Sequence, residues 1–484
     1  MPLPRRLTTG LGTATVATLA MITGAPLTVV AAPAPAHVTA ARDAGSWLAG
    51  EFTDGSLPGP FTPEDWGLTI DGLVALSATG VDAPTRQAAT AQVAAHVRSY
   101  NSIDDWGYEG FTDGGATAKL LYAASAAGAD PTDFGGYDLR AETLSLIAGA
   151  DAGHQRGRIT SRTTADSGPD ASNTFDQSFA VLGLARSGDL PQDTVDFLIR
   201  QQCTAGGFRL YPDTADGPSP SCDEQAGAVL DVDSTAMAVQ ALLAAAAGGA
   251  TGAGDAARKG AGWLVTQQHA DGSFGGSGPT TGANSNSTGL AGQALAAAGR
   301  DDEAARAAEA LAALQLTAGN GGAASADTGA IAYNTDGITA AKANGITETD
   351  RDQWRRATAQ ALLGLAQVPL GRIGLDAPPT SSPTPTGTAS PTTTTSPTVS
   401  PTATASPTPT GTASPTPSLT SPAGTPAPTT AAPTTAAPPI TTPAASGLGG
   451  LPTTGAAIGS YLLVALLLVG GGVTLLVLGR RRAE

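Results

Sequence analysis

Several residue types are scarce in this chain of 484 residues. It contains two cysteines, four histidines, 5 tryptophans, 7 tyrosines and 9 phenylalanines. The histidines show no ligand spacing, and a structural zinc site needs several cysteine or histidine ligands, so the sequence predicts no metal and no cofactor. A cavity that guides a cation needs aromatic faces, so the shortage of aromatic rings argues against that chemistry as well.

Basic residues are also scarce, at 25 against 41 acidic ones. All charged residues except Glu484 and five arginines near the two termini fall between residues 38 and 376, which leaves that segment with 40 acidic and 20 basic side chains. Nucleic acid is not expected to bind so acidic a surface. Solubility outside the cell is the plainest reason for the excess negative charge.

The first residues of the chain have the order of a targeting signal. Arg5 and Arg6 precede an uncharged, mostly apolar run, and the small-residue triplet Ala-Pro-Ala at 34–36 ends it. Basic, apolar and small segments in this order are typical of a secretory signal peptide. The sequence therefore predicts a signal peptide over residues 1–36, with cleavage after Ala36.

The last residues, 451–484, form a three-part tail. The apolar run at 456–479 is long enough to cross ~30 Å of hydrocarbon as a helix, and the arginines behind it favour a cytoplasmic end. With the pentapeptide before it, the tail resembles the LPXTG cell-wall sorting signal of Gram-positive surface proteins. The pentapeptide consists of Leu451, Pro452, Thr453, Thr454 and Gly455.

The resemblance to a sorting signal implies how the chain would be anchored. A sortase cysteine would attack the carbonyl of Thr454 and release Gly455 onward, and a peptidoglycan amine would then take over the acyl group. Sortase and peptidoglycan are thus the implied partners, with a membrane-held precursor and a final place on the Gram-positive cell wall. An ordinary membrane protein with a single span is the alternative.

A tract of Pro, Thr, Ser and Ala without any charged residue covers 377–450. Such a composition cannot bury a core and favours extended chain. At ~3.1 Å per residue the tract could reach on the order of 200 Å, enough to carry a domain through a thick wall. Only residues 38–376 then remain to fold, and we expect this domain to be monomeric.

Internal repeats organise the folding segment. RKGAGWLVTQQHADGSFGG (258–276) reads as a helix end followed by a glycine turn with an aromatic residue, and TVDFLIRQQCTAGGFRL (194–210) repeats it. An Ala-rich helix follows each turn, and about six such pairs fit. Paired helices in this number predict an all-α fold, a closed α/α toroid, with an open superhelical stack as the alternative. One threonine or serine near the start of each Ala-rich helix marks the corresponding position in successive repeats, which we call the register mark: Thr69, Thr117, Ser178, Thr235 and Thr288.

The sharpest repeat resembles a known motif. From Lys259 to Phe274 the chain fits the QW motif of squalene cyclases, with Gln268, Gly272 and Phe274 in place of the usual tryptophan. The segment is therefore similar to the prenyltransferase and squalene-oxidase repeat superfamily, which includes terpene cyclases and the cobalamin carrier intrinsic factor. In that superfamily the glutamine and the aromatic residue tie helix ends together, so the resemblance implies an architecture and not an activity.

The two cysteines, Cys203 and Cys222, lie in one loop of a chain that is predicted to be exported. A disulfide between them is the expected pairing. The stretch from Cys222 to Gln225 also resembles the Cys-Gly-Glu-Gln of thioester domains. The motif's glycine is absent and Cys203 offers a partner, so the disulfide is preferred.

The stretch LDVDSTA contains Asp231 and Asp233 and resembles the Asp-X-Asp-Asp-Thr-Ala motif of class II terpene cyclases. There the middle aspartate, here Asp233, protonates an alkene or epoxide; Ser234 replaces the motif's last aspartate. Asp233 could instead cap a helix, because Asp176 and Asn286 occupy the same register in other repeats. Capping by Asp233 is the favoured interpretation, and catalysis by Asp233 is the alternative.

The inner helices of a toroid all run in one direction, so these helix starts, the glycine turns and the cysteine loop should meet at one mouth. The sequence therefore predicts a wall-displayed toroid that binds a small-molecule or glycan ligand or a surface partner there. An extracellular enzyme, terpene-cyclase-like or carbohydrate-active, with Asp233 as general acid is one alternative, and a structural spacer or adhesin is another. The predicted cleft residues are Phe208, Tyr211, Asp231, Asp233, Phe274 and Asn286.

Overall fold

The computed structural model describes residues 34–375, apart from 166, 215 and 216. Most of the predicted signal peptide, the linker and the whole sorting signal with its apolar run lie outside the described residues, so they remain predictions. Within the described ranges, no helix is both long and apolar enough to cross a membrane.

The described chain is built almost entirely from helices. Two small antiparallel pairs of strands interrupt them, β1 (Phe208–Arg209) with β4 (Leu230–Asp231) and β2 (Asp213–Thr214) with β3 (Gly217–Pro218). The helices are α1 (Pro35–Gly50), α2 (Trp66–Thr79), α3 (Ala83–Ala95), α4 (Val97–Asn101), α5 (Gly114–Ala126), α6 (Leu139–Ser145), α7 (Thr174–Ser187), α8 (Gln192–Arg200), α9 (Val232–Ala247), α10 (Ala253–Gln267), α11 (Ser285–Ala297), α12 (Asp301–Ala313), α13 (Thr335–Asn344) and α14 (Glu348–Ala366).

Six of these helices form a closed ring. α2, α5, α7, α9, α11 and α14 contact one another in that order, and α14 returns to α2. The other long helices lie outside them: α1 contacts α14 and α2, α10 contacts α9, and α12 contacts α11. The prediction of an all-α toroid is thus confirmed, and the open stack is excluded because the last inner helix packs on the first.

Small residues let the inner helices approach closely. A Cβ added at Gly364 of α14 would lie 2.8 Å from the Cα of Gly289 of α11, and a Cβ at Gly289 would lie 2.6 Å from the carbonyl oxygen of Gln360. Both distances are too short for a real side chain. The two backbones are therefore in direct contact, which explains why the inner helices are rich in Gly and Ala.

A repeated hydrogen bond joins four of the turns to the inner helix that follows each of them. The backbone N–H of Phe208 donates to Thr235 Oγ1, and that of Phe274 donates to Thr288 Oγ1, each at 2.9 Å. The same 2.9 Å bond joins Leu57 to Thr69 and Ile331 to Thr358.

The register marks of the sequence are thus correct for Thr69, Thr235 and Thr288, whereas Thr117 Oγ1 accepts at 3.0 Å from the side-chain Nδ2 of Asn101 instead of from a backbone N–H. Ser178 was the wrong mark in α7, because Gln177 Oε1 takes the threonine's place and accepts from the N–H of Ile159 at 2.8 Å. The sixth member of the series is Thr358 in α14, a position that the sequence analysis left unmarked.

The glutamines of the repeats tie turns to the next outer helix, as the QW resemblance implied. Gln268 Nε2 donates to the carbonyl oxygens of Gly272 at 3.1 Å and of Glu303, in α12, at 2.8 Å. Gln202 Nε2 does the same with Gly206 at 2.8 Å and Ala256, in α10, at 2.9 Å. One side-chain amide therefore donates to two carbonyl oxygens, at the end of a turn and in a helix, that would otherwise lack a hydrogen-bond donor.

The chain after α14 crosses the end of the ring where the inner helices finish. The carbonyl oxygen of Leu370 accepts from Tyr122 Oη at 3.1 Å, and its N–H donates to Gln240 Oε1 at 2.9 Å. Gln293 Nε2 donates to the carbonyl oxygen of Val368 at 2.6 Å. This segment closes one end of the ring, so a ligand could approach the axis only from the end where the inner helices begin, which we call the mouth.

Candidate functional site

The axis of the ring holds a cavity of about 30 Å³. A water molecule needs roughly 10–15 Å³ of such volume, so the cavity has room for one or two waters and not for a terpenoid or a corrin ring. A ligand larger than a few water molecules must therefore bind outside this cavity, at the mouth. Each inner helix contributes to the lining the residue that lies two positions after its register residue: Asp71, Lys119, Phe179, Met237, Leu290 and Gln360.

A buried ion pair lies at this axial cavity. Lys119 Nζ is 2.6 Å from Asp71 Oδ1 and 3.4 Å from the carbonyl oxygen of Gly67. Burial is the largest single influence and lowers the pKa of Lys119, but the charge and hydrogen bond of Asp71, together with Tyr100 and Asp65, hold the pKa above its ordinary value. Lys119 is therefore charged and already neutralised, so it does not attract an anion to the axis.

Asp231 is the cap of α9. Its Oδ1 accepts hydrogen bonds from the N–H and the Oγ of Ser234, both at 2.6 Å, and its Oδ2 accepts one from Ser277 Oγ at 2.7 Å. The interpretation of Asp233 as the cap was therefore wrong. The helix begins two residues earlier than that interpretation required, because Asp231 is extended and Val232 is the first helical residue.

Asp233 occupies the second position of α9. The residue is partly exposed, but its Oδ1 is sealed from solvent and has no hydrogen-bond partner within the described part of the chain. Burial, and then the charge of Asp231, raise the pKa of Asp233 to about 7, against a hydrogen bond from Ser287 that lowers it. At neutral pH this carboxyl can therefore carry a proton and donate it, which is the chemical requirement for a general acid.

The other predicted cleft residues divide into two groups. Asn286 is buried at the second position of α11, beside Asp233 in register, and Tyr211 is 58% exposed in the loop that leads to α9. Phe208 and Phe274 are completely buried, so they line no cleft and this prediction was wrong. The backbone N–H groups of Phe208 and Phe274 donate hydrogen bonds to Thr235 and Thr288, and the two rings pack in the core between outer and inner helices.

A second pair of carboxyls at the mouth was missed by the sequence analysis. Asp113 caps α5, accepting from the N–H of Ala116 at 2.8 Å, and Asp176 Oδ2 accepts from the N–H of Asn173 at 2.8 Å in a capping box at the start of α7. The signal was present in the sequence, since Asp113 precedes a Gly-Gly and Asn173 precedes Asp176 by three residues.

The two carboxyls influence each other although they belong to different helices. Burial raises the pKa of Asp113 to about 6, and the charge of Asp170 adds to it against hydrogen bonds from the backbone. Burial, and then the charge of Asp113, hold the pKa of Asp176 well above its usual range. Asp176 Oδ1 has no hydrogen-bond partner among the residues that the structure describes. It lies where a side chain at Gly115 would be, 2.0 Å from the position of a Cβ there.

The structure joins Cys203 to Cys222 in a disulfide, with Cα atoms 4.9 Å apart. Gln225 Oε1 accepts a hydrogen bond from the buried guanidinium of Arg209, so its side chain is not bonded to Cys222 as a thioester would require. The loop that leads to α9 is thereby crosslinked close to Asp231. Within residues 34–375, apart from the three that are not described, no group of three His, Cys, Asp or Glu side chains could hold a metal ion.

Comparison with known proteins gives matches among solved structures alone. No family model matches the chain, and no curated protein matches it. Among solved structures it is similar to an inactive variant of the α-1,6-mannanase GH76A of Salegentibacter in complex with α-1,6-mannotriose, at 12% identity over 68% of this chain and 99% of that chain, with a TM-score of 0.46.

Two further solved structures are similar at the same level. The type II terpene cyclase MstE from Scytonema is 17% identical over 69% of this chain and 98% of that chain, with a TM-score of 0.46. The unsaturated glucuronyl hydrolase of a Bacillus species is 13% identical over 70% of this chain and 97% of that chain, with a TM-score of 0.43. The toroid itself is established by the contacts between the six inner helices of this chain.

Proposed function

We propose that this chain is a cell-wall-anchored surface protein whose toroid binds a hydroxyl-rich ligand, of the oligosaccharide class, at its mouth. The observation that carries the proposal is the pair of sealed carboxyl oxygens, Oδ1 of Asp176 and Oδ1 of Asp233, that lack a hydrogen-bond partner in the described structure. Leaving such atoms unpaired in a folded protein costs about 1–3 kcal/mol each. A ligand that brings hydroxyl groups to the mouth would supply the missing donors.

The axial cavity supports a ligand that stays at the surface. Its volume of about 30 Å³ admits only water, and the far end of the ring is closed by the segment around Leu370. A saccharide can bind at a shallow polar mouth because its hydroxyl groups need partners and its ring faces can pack on aromatic side chains such as Tyr211, which is largely exposed.

Binding is tested by titrating the full secreted chain with a panel of oligosaccharides in a calorimeter. We expect at least one to bind with a Kd below about 1 mM, and Asp233→Asn to weaken that binding. Asp255→Asn, an exposed aspartate on outer helix α10, is the matched control and should bind as the wild type does. Absence of binding across the panel, or equal weakening by both variants, would contradict the proposal.

Anchoring is tested separately in cells. Thr454→Ala should leave the protein in the membrane fraction, because the acyl group that a sortase transfers belongs to Thr454. The wild-type chain should instead be released by enzymes that digest peptidoglycan. A Thr454→Ala chain that is still released in this way would show that the sorting interpretation is wrong.

An extracellular hydrolase is the second proposal, favoured by one observation. Burial, and then the charge of Asp231, raise the pKa of Asp233 to about 7, and acid–base hydrolysis of a glycosidic bond requires a carboxyl that can donate a proton near neutral pH. Hydrolysis of a bound oligosaccharide that disappears in Asp233→Asn, while binding persists, would establish it. A ligand that is bound and recovered intact would leave binding as the function.

A further inference from the structure

A solvent-exposed loop leads into the second carboxyl pair. The N–H of Asp113 donates to the carbonyl oxygen of Asn101 at 2.8 Å, so the chain leaves and returns at one point. Every residue from 104 to 110 is exposed. Trp106 is 54% and Tyr108 is 40% exposed. Two aromatic rings held in water by a loop that ends at a helix start indicate a surface that contacts something else.

The same loop is rich in carboxylates that have no cationic partner. Asp104, Asp105 and Glu109 lie between and beside the two rings. None of them, and neither Asp113 nor Asp176, forms an ion pair with a lysine or arginine of the described chain. The exposed loop itself, with Asp104, Asp105 and Glu109, is therefore negatively charged.

The basic side chains near the loop are mostly engaged elsewhere. Arg158 Nη2 lies 2.7 Å from Asp213 Oδ2 and 3.6 Å from Asp170 Oδ2. Lys119 is paired with Asp71 at 2.6 Å. Arg162 donates to Thr112 Oγ1 at 3.2 Å and is exposed. The negative potential of the loop is thus left for a ligand to neutralise.

The base of the loop offers a buried acceptor. Asp176 is 4% exposed, and its Oδ1 points to the start of α5 at Gly115, two residues beyond the end of the loop. The atom has no hydrogen-bond donor among the described residues. The loop thus ends at a helix start that already holds one buried carboxyl oxygen without a donor.

We propose that the saccharide bound at this mouth carries an ammonium group, as an amino sugar does, and that the loop of residues 104–110 with Asp113 and Asp176 recognises it. This inference rests on the saccharide-binding function proposed above. A cation over the face of tryptophan or tyrosine is attracted by the ring's quadrupole. Its N–H groups can donate charge-assisted hydrogen bonds to carboxylates, and its sugar ring can pack on the second aromatic side chain.

The experiment compares three tetramers in titrations of the full secreted chain: glucosamine, N-acetylglucosamine and glucose. Acetylation removes the charge but adds an acetyl group, and the glucose tetramer lacks both the charge and the acetyl group. A preference for glucosamine over both of the others therefore reports on the charge. We expect the glucosamine tetramer to bind about tenfold or more tightly than the other two. Its affinity should fall as sodium chloride is raised, because the attraction is electrostatic.

Three variants at two positions locate the site. Trp106→Ala should weaken binding of the glucosamine tetramer about tenfold, whereas Trp106→Phe keeps a ring and should retain most of the affinity. Glu109→Gln should weaken the glucosamine tetramer and leave the other two unchanged. Both positions are exposed, so these variants test recognition even if changes at the buried Asp176 prevent folding.

The outcomes separate the two proposals. If the N-acetylated or the glucose tetramer binds as tightly as glucosamine, the preference for a cation is wrong while saccharide binding stands. If the glucosamine tetramer binds best but Trp106→Ala and Glu109→Gln have no effect, the loop is not the site and the inference fails. If none of the three tetramers binds, and the wider panel fails as well, both proposals are wrong.

Discussion

The two pairs of carboxyls at the mouth are built differently. Asp113 and Asp176 come from neighbouring helices, α5 and α7, and each accepts a hydrogen bond from the backbone at the start of its own helix. Asp231 and Asp233 come from one helix, α9, and only Asp231 caps it. The first pair is thus brought together by the ring, and the second by two residues of sequence.

The two pairs also differ in which carboxyl caps a helix and which has a raised pKa. In α9 the two roles are divided, because Asp231 accepts three hydrogen bonds from Ser234 and Ser277 whereas Asp233 has one sealed oxygen and a pKa raised to about 7. Across α5 and α7 both carboxyls are capping residues, and both have raised pKa values. In the α9 pair the cap and the carboxyl with the raised pKa are therefore different residues, whereas across α5 and α7 each carboxyl is both a cap and a group whose pKa is raised.

The largest expected effect comes from placing a side chain at Gly115, in the space that the carboxyl of Asp176 occupies. A Cβ at Gly115 would lie 2.0 Å from Asp176 Oδ1, so Gly115→Ala must displace a buried carboxyl that is fixed by its capping bond. Overpacking of this kind costs about 1–3 kcal/mol, and we expect the upper end in chemical denaturation.

The matched control for this change is Gly262→Ala on the outer helix α10. An added Cβ there meets nothing within 4 Å, and alanine is a better helix former than glycine by about 1 kcal/mol. We expect this variant to be as stable as the wild type or slightly more stable. A loss of stability of the same size in both variants would show that Asp176 does not need the space at Gly115.

The second effect concerns the protonation of Asp233 and has a definite sign. Its pKa is raised from 3.8 to about 7 in the folded chain, so ionisation of this group opposes folding. The penalty is absent below the unfolded pKa, grows between about pH 4 and 7, and is complete above pH 7. A shift of about three pKa units corresponds to about 4 kcal/mol, and solvent screening at this partly exposed residue reduces it. Asp233→Asn removes the penalty and should therefore raise the free energy of unfolding by roughly 2 kcal/mol at pH 8.

The measurement is the free energy of unfolding of both proteins at pH 4 and pH 8. The gain of Asp233→Asn should be small at pH 4, because the carboxyl is then protonated in the folded chain and about half protonated in the unfolded chain. A gain that is equal at the two pH values would mean that the effect comes from packing and not from charge.

The sequence predicted the fold from features that are local and repeated. Gln268 and the turn at Gly272 form the bonds that the QW resemblance implied, and the threonine register gave three inner helices correctly. It failed at α7 because Gln177 reaches the same backbone N–H with a longer side chain. It left the last repeat unmarked because α14 begins well before Thr358, so the helix start no longer marks the register.

The site was predictable only in part, for a physical reason. Asp231 and Asp233 are two residues apart, and their place at a helix start was evident from the pattern, although their roles were exchanged. Asp113 and Asp176 are 63 residues apart in number and meet because α5 packs on α7. The burial of Phe208 depends on which side of the turn faces the inner helix, which the sequence pattern alone did not specify.

The smallest expected effect tests the exchange of roles within α9. Asp231→Ala removes the cap and should lower the free energy of unfolding by about 1 kcal/mol, while Asp231→Asn keeps an acceptor for the N–H of Ser234 and should lower it less. Asp233→Ala at pH 8 should not destabilise the chain in this way, because its Oδ1 accepts no hydrogen bond in the described structure and its ionisation opposes folding. Thermal unfolding of the three variants measures the order directly. If Asp233→Ala were the most destabilised and Asp231→Ala resembled the wild type, Asp233 would be the cap after all, and the division of roles that makes it a proton donor would be lost.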